Sequence, residues 1–115
     1  MLNIGVLISG GGSNLQAIID DCESKKINGN IKVVISNRED AFGLERAKKH
    51  NIRSVFEKDE DEVIKILKEE NIDLVVLAGY LKIISPNLLG KLTGVITTFY
   101  LISSASIILA GSGAL

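Results

Sequence analysis

A short apolar run, Ile4-Gly5-Val6-Leu7-Ile8, breaks into Ser9-Gly10-Gly11-Gly12-Ser13-Asn14, and an amphipathic stretch, Leu15-Gln16-Ala17-Ile18-Ile19, follows at once. The order is buried strand, glycine turn, helix. A strand that passes straight into a helix needs a crossover before the next parallel strand, so this junction commits the chain to an α/β architecture. It also carries chemistry. A helix N-terminus presents unpaired backbone N–H groups and a partial positive charge. Glycines in front of it let the backbone approach a ligand without side-chain interference. Together they form an anion site, most commonly for a phosphate.

The alternation continues downstream. Ile31-Lys32-Val33-Val34-Ile35 and Asp73-Leu74-Val75-Val76-Leu77-Ala78 are nearly continuous apolar runs, as expected of strands covered on both faces. Ile52-Arg53-Ser54-Val55-Phe56 is shorter and fits a strand nearer the sheet edge. Helices are predicted from Asn14 to about Lys25, from Ala41 to about His50, and from Asp59 to about Glu70. In the last, Val63, Ile64, Ile66 and Leu67 form one stripe, and Asp59, Glu60, Asp61 and Glu62 suit the positive end. Ser85-Pro86 opens a short fourth helix, with serine as cap and proline in the first turn. The predicted fold is α/β: a doubly wound, mainly parallel Rossmann-like sheet in three α/β/α layers, with strand order 3-2-1-4.

At 115 residues the natural expectation is one core-forming domain. A net charge of −1 with interleaved signs gives nucleic-acid binding no electrostatic support. The single cysteine, Cys22, excludes an intramolecular disulfide and fits a small, semi-buried helix side chain. The first apolar run is too short for a secretory signal and is broken by the glycine turn, so the expected compartment is the cytosol. No charged residue follows Lys91. Length alone would allow a membrane helix there, but threonines, serines and glycines interrupt it. The expectation is a buried strand from Gly94 to about Phe99, then an irregular tail, with no membrane span.

The glycine loop can be tested against known phosphate cradles. A dinucleotide site needs a third glycine where this chain has Leu15, and an acidic residue after the second strand where it has Ser36-Asn37. A P-loop needs a lysine that does not follow Gly12. A single-phosphate site remains, with the Ser13 hydroxyl and Asn14 amide as added ligands. The alternative is a tight turn in which Ser13 or Asn14 only caps the helix. After the fourth strand comes Ala78-Gly79-Tyr80-Leu81-Lys82-Ile83-Ile84-Ser85-Pro86. With order 3-2-1-4, this loop faces the glycine loop across the ligand crevice. Gly79 would admit a ligand close to the backbone, and Tyr80, Leu81, Ile83 and Ile84 offer an apolar wall for a flat organic group. The alternative is a hydrophobic loop packed on the sheet.

Three segments in register resemble the phosphoribosylglycinamide formyltransferase family of purine biosynthesis. They are Ile8-Ser9-Gly10-Gly11-Gly12-Ser13-Asn14-Leu15-Gln16-Ala17-Ile18, then Ile35-Ser36-Asn37-Arg38-Glu39-Asp40-Ala41-Phe42-Gly43-Leu44-Glu45-Arg46-Ala47, then Val76-Leu77-Ala78-Gly79-Tyr80-Leu81-Lys82-Ile83-Ile84-Ser85-Pro86. The resemblance runs from about Leu2 to Thr97. It implies an enzyme of formyltransferase fold that moves a formyl group from 10-formyltetrahydrofolate, as co-substrate, to the amine of glycinamide ribonucleotide, without a metal. It implies that Gly12, Ser13 and Asn14 hold the substrate phosphate and that Gly79 lies near the glycinamide end. It further implies that Leu81, Lys82, Ile83 and Ile84 line the folate pocket, largely through backbone bonds. Lys82 replaces the family's usual arginine, a point charge in place of a planar fork.

The family's next motif, Asn-x-His-Pro-Ser-Leu, fails here. Thr98 stands where the family has its asparagine and Tyr100 where it has histidine. Formyl transfer needs an acid–base group and an oxyanion stabiliser, and a tyrosine of ordinary pKa about 10 suits the histidine's task poorly at neutral pH. The chain ends before the family's downstream aspartate, and His50, the only histidine, fits an exposed or capping residue. No catalytic residue is therefore assigned. Residues 1–97 are expected to form the formyltransferase N-terminal domain and 98–115 a divergent apolar tail. The abrupt loss of pattern and charge points to a truncated or frameshifted reading, or to a C-terminal segment whose sequence assignment is in error, and leaves the activity of the 115-residue chain open. Its exposed sheet edge predicts self-association into a homo-oligomer. The alternative is a half-domain that binds a phosphate ligand or folate without chemistry.

Overall fold

A computed structural model describes residues 1–80 and 98–101. Strand β1 (Leu2–Ile8) pairs in parallel with β2 (Gly29–Ser36) on one side and with β4 (Leu74–Leu77) on the other. Strand β3 (Arg53–Phe56) adds beyond β2, and β5 (Thr98–Leu101) adds beyond β4. Among the described residues the order is β3-β2-β1-β4-β5, so the predicted order 3-2-1-4 holds and β3 is an edge. Helices α1 (Ser13–Glu23), α2 (Phe42–Lys49) and α3 (Glu60–Glu69) fill the crossovers between the first four strands.

The continuous apolar strands work because both faces are covered. Ile4, Val6 and Ile8 of β1, Val34 of β2 and Val76 of β4 pack with Leu15, Ile18 and Ile19 of α1 and Leu44 and Ala47 of α2. Leu7, Val33, Ile35, Val75 and Leu77 point the other way, onto Val63, Ile64, Ile66 and Leu67 of α3. Each such fully buried aliphatic side chain contributes about 1.5–3 kcal/mol relative to exposure. The register of β2 on β1 shifts between Ile4, opposite Ile31, and Gly5, opposite Val33, which leaves exposed Lys32 as the extra residue of a bulge.

Local chemistry sets the helix ends. Asp59 caps α3: its Oδ1 accepts from the backbone N–H of Asp61 at 2.8 Å and of Glu62 at 3.4 Å. Glu60, Asp61 and Glu62 fill the first turn, as the sequence predicts. After α2 and α3 the chain turns through Asn51 (φ 59°) and Asn71 (φ 52°), a left-handed conformation that asparagine tolerates. The following residue then folds back, with Ile52 N–H donating to Ala47 O at 2.9 Å and Ile72 N–H to Leu67 O at 3.1 Å.

Some boundaries differ from expectation. Strand β2 starts earlier, at Gly29, where the missing side chain leaves room for Ile4 and the backbone of Leu2. The late strand is described at Thr98–Leu101, past Phe99, because its four residues match Leu74–Leu77 one for one. The predicted helix at Ser85-Pro86 and residues 94–97 lie outside the described residues. No helix among the described residues is long and apolar enough to cross a membrane.

Replacing Asp59 by alanine frees two helix donors at an exposed site, so it should cost about 1 kcal/mol. Urea unfolding at unchanged slope would show this as a lowered midpoint. An unchanged midpoint would mean that the cap contributes nothing.

Candidate functional site

The strand order reverses at β1, with β2 on one side and β4 on the other, so the loops after β1 and β4 leave the same carboxyl edge. Gly12 follows β1 and is the N-cap of α1, at φ 80° and ψ 28°. Only glycine takes this backbone freely. A Cβ there would also lie 2.8 Å from the Cα of Gly43. No side chain caps α1, and its first turn carries no acidic residue. The alternative in which Ser13 or Asn14 caps the helix is therefore overturned: both residues fall inside the helix, downstream of the cap. Ser13 is exposed and Asn14 half-buried, so the amides of this first turn open to solvent. Gly79, after β4, has φ 70°, and a Cβ there would meet nothing within 4 Å. The topology thus brings Gly12, Ser13, Asn14 and Gly79 to one edge of the sheet.

For Tyr80 the packed alternative holds, not the apolar wall. Tyr80 lies buried with Leu77, Val63 and Ile64 in the layer under α3. Its large ring finds more apolar surface beneath the helix than at an open loop. Leu81, Lys82, Ile83 and Ile84 lie outside the described residues. His50 is the C-cap of α2, the capping position expected, and its Nδ1 also meets a Glu23 carboxylate oxygen at 2.8 Å, a contact that sequence reasoning did not anticipate. Cys22 is half-buried, and burial, followed by the charges of Asp21 and Glu23, pushes its thiol pKa up, away from reactivity.

Supporting residues came from segments to which sequence reasoning gave no role. Gly43 N–H donates to Gly10 O at 3.0 Å, and a Cβ on Gly43 would lie 2.4 Å from the Cδ1 of Ile8. The signal was there: glycine in a helical first turn costs about 1 kcal/mol against alanine and implies a close approach. Arg46 Nε donates to Gly11 O at 2.7 Å. Beneath the loop, buried Ser9 donates to Asn37 Oδ1 at 2.5 Å, and buried Ser36 accepts from the Arg38 N–H at 2.9 Å. A separate cavity of about 560 Å³ lies at the opposite, amino end of β2 and β3, between Ile19, Cys22, Ile31 and Ile52. Of its rim charges, Glu23 pairs with His50 and Glu70 with Arg53, and Lys32 is exposed, so it gathers no cluster of groups for chemistry.

The formyl transferase family profile matches residues 2–97. The chain is 45% identical over 102 residues to phosphoribosylglycinamide formyltransferase of Escherichia coli, covering 81% of this chain and 48% of that protein. It is 47% identical over 111 residues to the Dictyostelium discoideum protein of the same name, covering 79% and 52%. Among solved structures, glycinamide ribonucleotide transformylase 1 from Symbiobacterium toebii matches with a TM-score of 0.77 at 37% identity, covering 86% of this chain and 50% of that one. The chain spans about half the length of the curated relatives it matches.

Gly12→Ala places a side chain at positive φ against backbone, so it should destabilise by about 1–3 kcal/mol. Thermal unfolding that matched the wild type would contradict this close approach. Burial, then the Glu60 charge, pushes the Tyr80 hydroxyl pKa from 10.0 up to about 12. Its contribution to stability is complete below the unfolded pKa of about 10 and is lost as pH rises through the folded one. Wild-type stability should therefore fall between those values, and Tyr80→Phe should flatten the fall in urea titrations.

Proposed function

The chain belongs to the formyl transferase family, and we propose that it serves formyl transfer from 10-formyltetrahydrofolate to the amine of glycinamide ribonucleotide, a step of purine biosynthesis. The observation that carries this reading is the uncapped first turn of α1 behind Gly10, Gly11 and Gly12, at the switch point between β1 and β4. The names of its relatives support the choice of substrate. A phosphate fits that turn through backbone N–H groups and the helix dipole, with no cation required. Gly12, Ser13 and Asn14 would hold it. Gly79, whose Cα faces open space, would lie at the amine end. Leu81, Lys82, Ile83 and Ile84 would line the folate pocket. When bound, the folate supplies the formyl carbon. The described residues bind and orient the nucleotide so that its amine meets that carbon.

A second reading, binding without chemistry, is favoured by one observation. Thr98 and Tyr100 stand where the resemblance expects asparagine and histidine. A formyl-transfer assay separates the two, since turnover by this chain would remove the binding-only reading.

Calorimetric titration tests the phosphate cradle. Glycinamide ribonucleotide should bind about tenfold or more tighter than its dephosphorylated nucleoside, the loss of a charged hydrogen bond being about 1.5–3 kcal/mol. Equal affinities would sink the assignment of Gly12, Ser13 and Asn14.

A further inference from the structure

We propose that Arg46 is a positioning residue that fixes the orientation of the Gly11–Gly12 peptide, and through it the donors of the glycine cradle. For its consequence on anion affinity, the inference rests on the phosphate reading given above.

Two successive carbonyls of the loop are tied to α2. Gly10 O accepts from the Gly43 backbone N–H, and Gly11 O accepts from Arg46 Nε. No peptide bond among the described residues is cis. In a trans peptide the C=O and N–H point in opposite directions. Anchoring both carbonyls on α2 therefore turns the N–H groups of Gly11 and Gly12 away from α2. These two amides join those of the α1 first turn as a run of backbone donors, the arrangement that holds anions.

The clamp is needed because the loop is glycine. Three consecutive residues without Cβ let each peptide plane flip at little steric cost. A flip of the Gly11–Gly12 unit would present a carbonyl where the site requires an N–H. Arg46 is itself held, since its Nη1 donates to Gln16 Oε1 at 3.3 Å and its guanidinium sits 5.1 Å from the Phe42 ring centroid. Its stem lies against the loop, because a Cβ on Gly12 would meet Arg46 Cδ at 3.2 Å. Lysine lacks the planar fork that serves Gly11 and Gln16 together.

The test uses the whole chain with Arg46→Met and Arg46→Lys. Amide relaxation dispersion should find Gly11 and Gly12 quiet in the wild type and exchanging on the microsecond–millisecond scale in both variants. Inorganic phosphate should shift the Gly12, Ser13 and Asn14 amides of the wild type. Both variants should bind it about tenfold more weakly, the worth of one lost donor. That factor should be the same at low salt and at about 0.5 M salt, where a merely attractive charge would be screened. Quiet amides in the variants, wild-type affinity in Arg46→Lys, or a gap that closes with salt would each overturn the proposal. If phosphate leaves the wild-type loop unmoved, the phosphate reading fails, and the dispersion comparison still decides the clamp. Should Arg46→Met not fold, Arg46→Lys keeps the aliphatic stem and carries the same comparison.

Discussion

Everything in this sheet depends on β1 being enclosed on four sides. Its edges pair with β2 and β4, and its faces meet α1 and α2 on one side and α3 on the other. Ile4, Val6, Leu7 and Ile8 are between 0% and 1% exposed. Such a strand can meet solvent only at its ends, and at the carboxyl end the chain must turn at once to reach α1. The glycine run is the solution to that turn. The close packing that makes β1 stable thus also delivers backbone amides to the sheet edge where the strand order reverses.

The helix N-termini divide the work. At α3 an aspartate caps and three acids neutralise the positive end, so that terminus is satisfied by its own sequence. At α1 the cap is a glycine, nothing acidic follows in the first turn, and no side chain caps the helix start. The N-terminus of α2 is spent differently. Its Gly43 lies flat against the loop, and Arg46, one turn further on, reaches the same backbone. One helix presents the donors and its neighbour fixes the peptides that precede them.

What was legible in the sequence follows from what pattern can encode. Continuous apolar runs announced strands buried on both faces, and the stripe of α3 announced its single buried side. The loop's departure from a dinucleotide cradle was readable from Leu15 and Ser36-Asn37. Tyr80 was left open between two readings because an aromatic ring after a strand reads equally as ligand wall or as core, and only the position of α3 decides. Arg46 was overlooked because an exposed-looking arginine on a charged helix carries no local mark of a bond to Gly11, 35 residues away. Helix ends at Asn51 and Asn71 were blurred by a residue, since the left-handed turn depends on where the next isoleucine can bury.

The bulge at Lys32 has a consequence for pairing itself. A parallel strand that is apolar on both faces carries little information about register, because a slip by one residue exchanges one buried face for another. Before the bulge, Ile31 of β2 packs in the α1–α2 layer; after it the strand is apolar on both faces, with Val33 and Ile35 on the α3 side and Val34 on the α1–α2 side. Lys32 marks the change. Sliding β2 along β1 would draw that charged side chain into the paired ladder and set both halves of the strand out of phase. One exposed lysine therefore acts as an index mark, selecting a single alignment for two strands whose hydrophobicity alone would accept several.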